Sequence, residues 1–121
     1  MTSSFIQHVG QVGIPVKNIG RATQFYKEIL QLPLLFQTDT MAFFQLNDLR
    51  LMLALPEKEE FAHPSSVLYF NVENIQDVFD QLKYVVSFVS TPHVVTKIGQ
   101  TETWMVFFKD TEDNTHAFMS E

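Results

Sequence analysis

VKNIGRATQFY (residues 16–26) returns, in pattern rather than in letters, as VENIQDVFDQL (residues 72–82). Val16, Asn18, Ile19, Ala22 and Tyr26 align with Val72, Asn74, Ile75, Val78 and Leu82, every pair separated by the same 56 positions. Each stretch opens on an asparagine suited to capping a helix, because its side-chain oxygen can accept an N–H that the first turn leaves without a partner. Ile19, Ala22, Phe25, Tyr26, Ile29 and Leu30 then recur at helical spacing, as do Ile75, Val78, Phe79 and Leu82. A cap and an apolar stripe sharing one offset point to a duplicated unit.

Strands flank both helices. In QVGIPV, Val12, Ile14 and Val16 alternate with Gln11, Gly13 and Pro15, and Pro15 suits an edge because it cannot donate to a ladder. Pro33 closes the first helix, and LLFQT, MAFFQL and RLMLAL follow as a meander broken at TDT and ND. Leu49, Leu51, Leu53 and Leu55 share one face of the last strand, while Arg50, Met52 and Ala54 share the other. PEKEEFAHPSS is polar with two prolines and reads as a linker, to whose acidic run EKEE (57–60) no chemistry is assigned. SVLYFNV restarts the pattern, and VSFVST, TWMVFFK and THAFMS supply the later strands. The expected architecture is α+β: tandem βαβββ modules over about 5–56 and 65–121, joined by a linker at about 57–64, in one domain of 1–121. Each module is an antiparallel sheet with a helix on one face, leaving a second face that must be covered or enclose something. Two such half-cups facing one another would form a pocket.

Composition narrows the function. Net charge is −6 with no basic run, which disfavours nucleic acid and anionic membranes as partners. The absence of cysteine removes disulfides, thiolate catalysis and Cys-based zinc sites. MTSSFIQHVG lacks the pattern of a signal peptide and no apolar run is long enough to span a bilayer, so the expected location is cytoplasmic. Twelve phenylalanines suit a packed core, with a surplus available to line an apolar cavity.

IPVKNIGRATQFYKEIL, its repeat FNVENIQDVFDQL and the closing FKDTEDNTHAF resemble the vicinal oxygen chelate superfamily, which includes glyoxalase I, bleomycin- and fosfomycin-resistance proteins, extradiol dioxygenases and methylmalonyl-CoA epimerase. Val16, Asn18, Ile19, Ala22, Phe25, Tyr26 and Leu30 match its first-helix motif V-x-D/N-h-x-x-A-x-x-F-Y-x-x-x-L. Asp110, Glu112 and Asn114 match its closing D-P-D-G-N turn, with Glu112 in the place of Asp. Gln31 stands where a helix-ending glycine is usual, and Thr111 and Asp113 replace the turn's Pro and Gly. The resemblance implies a glyoxalase/bleomycin resistance-like cup. Such cups hold one divalent metal through four strands, two per half, at positions that fall here on Gln11, Met52, Val67 and Ala117. Glutamine is an acceptable ligand, a thioether is poorly suited to Zn²⁺, Ni²⁺ or Mn²⁺, and valine and alanine cannot ligate. No cofactor is therefore expected, a divalent metal is disfavoured, and the chelation chemistry is not carried over.

His8, His63, His93 and His116 do not rebuild a site, since none falls at metal-ligand spacing. Parity puts His8 on the helix side and turns His116 away from Ala117. Candidates for chemistry without metal are His93, Lys97 and Glu102, with Trp104 as an apolar wall, all near a late strand pair. Arg50, on the Met52 face, is suited to gripping a carboxylate or phosphate, and Tyr69, on the Val67 face, could offer a hydroxyl. The preferred function is binding of a small, partly apolar ligand by Gln11, Arg50, Met52, Val67, Tyr69, Trp104 and Ala117. The alternatives are a glyoxalase-like lyase, isomerase or dioxygenase-type enzyme with an atypical site, and a non-catalytic interaction module. A homodimer is expected, with the cup completed within one chain or across two.

Overall fold

The computed structural model describes residues 5–57, 59 and 63–121. Residues 1–4 of the N-terminal segment, and residues 58 and 60–62 of the linker with its acidic run, lie outside the described residues. The chain forms two compact units, Met1–His63 and Pro64–Glu121.

In the first unit β1 (Gln11–Pro15) leads to α1 (Ile19–Gln24) and then to β2 (Leu34–Gln37), β3 (Met41–Leu46) and β4 (Leu49–Ala54). The sheet order is β1-β4-β3-β2. β2, β3 and β4 form the expected antiparallel meander, while β1 lies parallel to β4. The sheet is thus mixed rather than purely antiparallel. A helix and a meander intervene between β1 and β4, long enough to return the chain in the same direction. Pro15 sits on the edge strand its missing N–H requires. Ile14, Val16, Ala22, Tyr26, Phe44, Leu51 and Leu53 are buried as the core.

The second unit repeats this order. β5 (Tyr69–Asn71) and α2 (Ile75–Leu82) precede β6 (Ser87–Phe88), β7 (His93–Ile98), β8 (Thr101–Lys109) and β9 (Thr115–Ser120). β5 is parallel to β9, β9 antiparallel to β8, and β6 and β7 take successive stretches of the same β8 edge, together occupying the place of β2. The two helix caps show the duplication most directly. Asn18 and Asn74 both sit at φ −133°, ψ 104°, and each accepts the N–H three residues on, from Arg21 at 3.0 Å and Asp77 at 3.1 Å.

The first helix departs from the uniform spacing expected of it. After Gln24 it widens into a π-helical turn over Phe25–Ile29, in which Leu30 N–H donates to Phe25 O at 3.1 Å. Adjacent Phe25 and Tyr26 are both buried there, edge to face at 5.7 Å. Gln31 then ends the helix at φ 61°, and Asp113 in the closing turn lies at φ 64°. These are the two departures from glycine noted in the motifs, so the backbone has kept its left-handed conformation although the side chain has changed. A Cβ there is disfavoured by about 1 kcal/mol or more. Gln31→Gly is accordingly expected to raise stability by roughly 0.5–1 kcal/mol, read as a higher Tm in thermal denaturation. A lower Tm would show that Gln31 makes up the strain through contacts of its own. No helix among the described residues is long and apolar enough to cross a membrane.

Candidate functional site

Strand parity divides each sheet into a face against its helix and an open face. In the first unit the rows across the open face follow from the register. Gln11, Arg50 and Gln45 are partners on β1, β4 and β3, and the next row is Gly13, Met52, Phe43 and, on β2, Phe36. The Gln11 amide Nε2 donates to Met52 Sδ at 3.6 Å, and the Met52 methyl leans over Gly13, 3.5 Å from where a Cβ would stand. The Arg50 guanidinium carbon lies 5.9 Å from the centroid of the Phe43 ring, a cation–π distance, and Phe43 stacks on Phe36 at 4.6 Å.

In the second unit Tyr69, Ala117 and Phe107 are partners on β5, β9 and β8. Ala117 is buried, and the flanking rings lean together across it to a centroid separation of 6.3 Å. His93, opposite Met105 in the adjoining row of the same face, has its ring 6.4 Å from Phe107. Its Nδ1 lies 2.7 Å from the Thr91 carbonyl oxygen. A carbonyl can only accept, so the proton is on Nδ1 and, in the neutral ring, Nε2 is left as an acceptor.

The expected trio does not converge. β8 runs without interruption against β9, which puts Met105 and Phe107 on the open face and Trp104, Val106 and Phe108 on the other. Glu102 shares the parity of Trp104, and Lys97 is its cross-strand partner. His93 therefore stays with Tyr69 and Ala117, whereas Lys97, Glu102 and Trp104 belong to the opposite face. His8 precedes β1 and is exposed, so its expected place on the helix side is also corrected, because strand alternation does not reach it. Val67 likewise precedes β5 and is exposed. Phe36, Phe43 and Phe107 were missed; for Phe43 and Phe107 the signal was present in MAFFQL and TWMVFFK but ambiguous between neighbours, while Phe36 stands in LLFQT.

His116 and the closing turn serve the fold. The His116 ring is fully buried among Phe70, Phe108 and, through them, Phe118, facing away from Ala117 as its parity required. Its Nδ1 accepts the Leu68 N–H at 3.2 Å. Burial lowers its pKa from the ordinary 6.5, an effect that the Asp110 carboxylate, 4.0 Å from Nε2, opposes without overcoming. Asp110 Oδ1 accepts the N–H groups of Glu112 and Asn114 at 2.8 and 2.9 Å, and Asn114 Oδ1 accepts the Ser65 N–H at 3.0 Å. The D-x-E-x-N motif thus ties the last strand to the start of the second unit.

A family model described as the Glyoxalase/Bleomycin resistance protein/Dioxygenase superfamily matches residues 6–118. The chain belongs to this superfamily. Solved structures share the fold at low identity. An integron cassette protein from the mobile metagenome of V. cholerae is 16% identical with a TM-score of 0.78, covering 98% of both chains. A superfamily member from Sphaerobacter thermophilus is 17% identical with a TM-score of 0.78, covering 98% of this chain and 100% of its own. A lactoylglutathione lyase from Agrobacterium tumefaciens is 11% identical with a TM-score of 0.72, covering 95% and 94%.

The donor set does not fit the superfamily's divalent metal. At the four positions that the resemblance implies, Gln11 could ligate, but Met52, Val67 and Ala117 offer one thioether and two alkyl groups, none of them a donor for an oxygen-and-imidazole cage. The packing follows the chemistry: a longer ligating side chain at 117 would have to part the Tyr69 and Phe107 rings. Among the described residues, no three His, Cys, Asp or Glu side chains group as ligands elsewhere.

Proposed function

We propose that this chain is a small-molecule binding member of the superfamily that takes a partly apolar ligand on its open sheet faces and works without the divalent metal. The observation carrying this reading is Ala117, closed in by Tyr69 and Phe107 where a ligating side chain would be needed. The aromatic rows on both open faces support it, because flat apolar walls with a few polar groups suit such ligands. The reading includes a cytoplasmic homodimer.

Purified protein should carry far less than one equivalent of Zn²⁺, Ni²⁺ or Mn²⁺ by elemental analysis, and light scattering on the same sample should return the mass of a dimer. A screen of hydrophobic drugs and acyl-thioesters should contain compounds that raise Tm by several degrees, since a ligand preferring the folded state stabilises by about 2.7 kcal/mol at a hundred times its Kd. Stoichiometric, tightly held metal would overturn the metal-free reading, and a flat screen would favour a non-catalytic interaction module. His93 favours a second reading, an enzyme with acid–base chemistry of its own, because its Nε2 is held as an acceptor beside the aromatic row. Turnover that disappears in His93→Gln while binding persists would move the assignment there.

A further inference from the structure

Arg50 has no charged cross-strand partner. On both sides it faces the neutral amides Gln11 and Gln45, although an acid at either position would stabilise the pair. The chain has 14 acidic residues against 8 basic ones, yet among the described residues none of those acids is within ion-pair distance of Arg50. Its guanidinium carbon stands over the Phe43 ring, 5.9 Å from the centroid. A guanidinium near a ring keeps its forked N–H groups able to donate, and that fork matches the two oxygens of a carboxylate. The adjoining row supplies the other half of a recognition surface: Met52, which leans over Gly13, with Phe43 and Phe36.

We propose that the open face of the first sheet selects a carboxylate-bearing ligand with a flat apolar body. The carboxylate pairs with the fork of Arg50, and the body lies along Phe43, Phe36 and Met52. This rests on the ligand-binding reading and names its ligand class. It accounts for a cation kept among amides: a neighbouring acid would occupy the fork that the ligand needs. The stacked Phe43 and Phe36 provide a surface for a planar body, and the polarizable Met52 thioether adapts to its edge.

The matched probes 2-naphthoate and 2-naphthamide differ in charge and little in shape. Titrated into the full chain and followed by calorimetry or probe fluorescence, naphthoate should bind about tenfold or more tightly than naphthamide, as charge-assisted hydrogen bonds require. Arg50→Gln should abolish that preference, while Phe43→Leu should weaken both probes alike. Arg50 is exposed, so an unaltered Tm is expected for its variant and shows that the fold is intact. Equal binding of the two probes, or a naphthoate preference that survives Arg50→Gln, would overturn the carboxylate assignment while leaving small-molecule binding standing. Failure of both probes would also overturn it, and the broader thermal screen then decides the binding reading separately.

Discussion

Phe108→Ala should destabilise the protein by about 3–5 kcal/mol, the range for removing a large aromatic from a core that cannot close the gap. The Phe108 ring is fully buried, stacked on Phe118 at 4.6 Å and in edge contact with Phe88 and His116 at 6.2 and 6.0 Å. Its removal takes one contact from each of those three rings, and interiors at crystal-like density relax only partly into such a void. A small domain has roughly 5–15 kcal/mol in all, so the variant should melt about 10–20 °C lower or fail to accumulate folded. Phe107→Ala provides the control. Its ring is half-buried on the open face, and its loss should cost clearly less in denaturant unfolding. Equal losses at the two neighbours would contradict the division of faces from which the candidate site is built.

Acidification should destabilise the protein through His116. The folded pKa lies below 6.5, chiefly because burial disfavours the imidazolium, so the unfolded chain takes up this proton at a higher pH than the native one. Between the two values the unfolded state binds more protons, and stability must fall as pH falls. Stability should be insensitive to this residue above pH 6.5 and decline below it by up to about 1.4 kcal/mol per pH unit until the folded ring also titrates. A proton on Nδ1 would also break the bond from Leu68 N–H, loosening the tie between β5 and β9. His116→Gln keeps an acceptor without a titration. Urea midpoints from pH 7 to 5 should therefore fall more steeply in the wild type than in the variant; parallel curves would assign the acid sensitivity to other groups.

The division of the fourth strand's faces was legible because strand parity is a local rule. The parity of RLMLAL placed Arg50 with Met52 on the face opposite the leucines, and the structure buries Leu51 and Leu53 while leaving Arg50 exposed. The late hairpin was less legible. TETWMVFF is apolar at successive positions, so alternation within it cannot say which set faces the helix. Lys97, Glu102 and Trp104 were consequently grouped with His93, although only His93 shares the face of Ala117.

The chain's own spacing determined the duplication, the Asn18 and Asn74 caps, the helices and the order of strands, because caps and apolar periodicity act over a few neighbouring residues. The resemblance to the superfamily, rather than spacing, implies that Met52, Val67 and Ala117 stand at three of the four positions of its metal ligands. Tertiary structure alone decided how the two Phe-Phe pairs divide. Phe44 and Phe108 are buried, whereas Phe43 pairs across from Met52 and Phe107 across from Ala117 on the open faces. A one-residue shift in register would exchange each pair, and register is set by hydrogen bonds between strands that are distant in the chain. Identical adjacent side chains carry no local information about which of them turns inward.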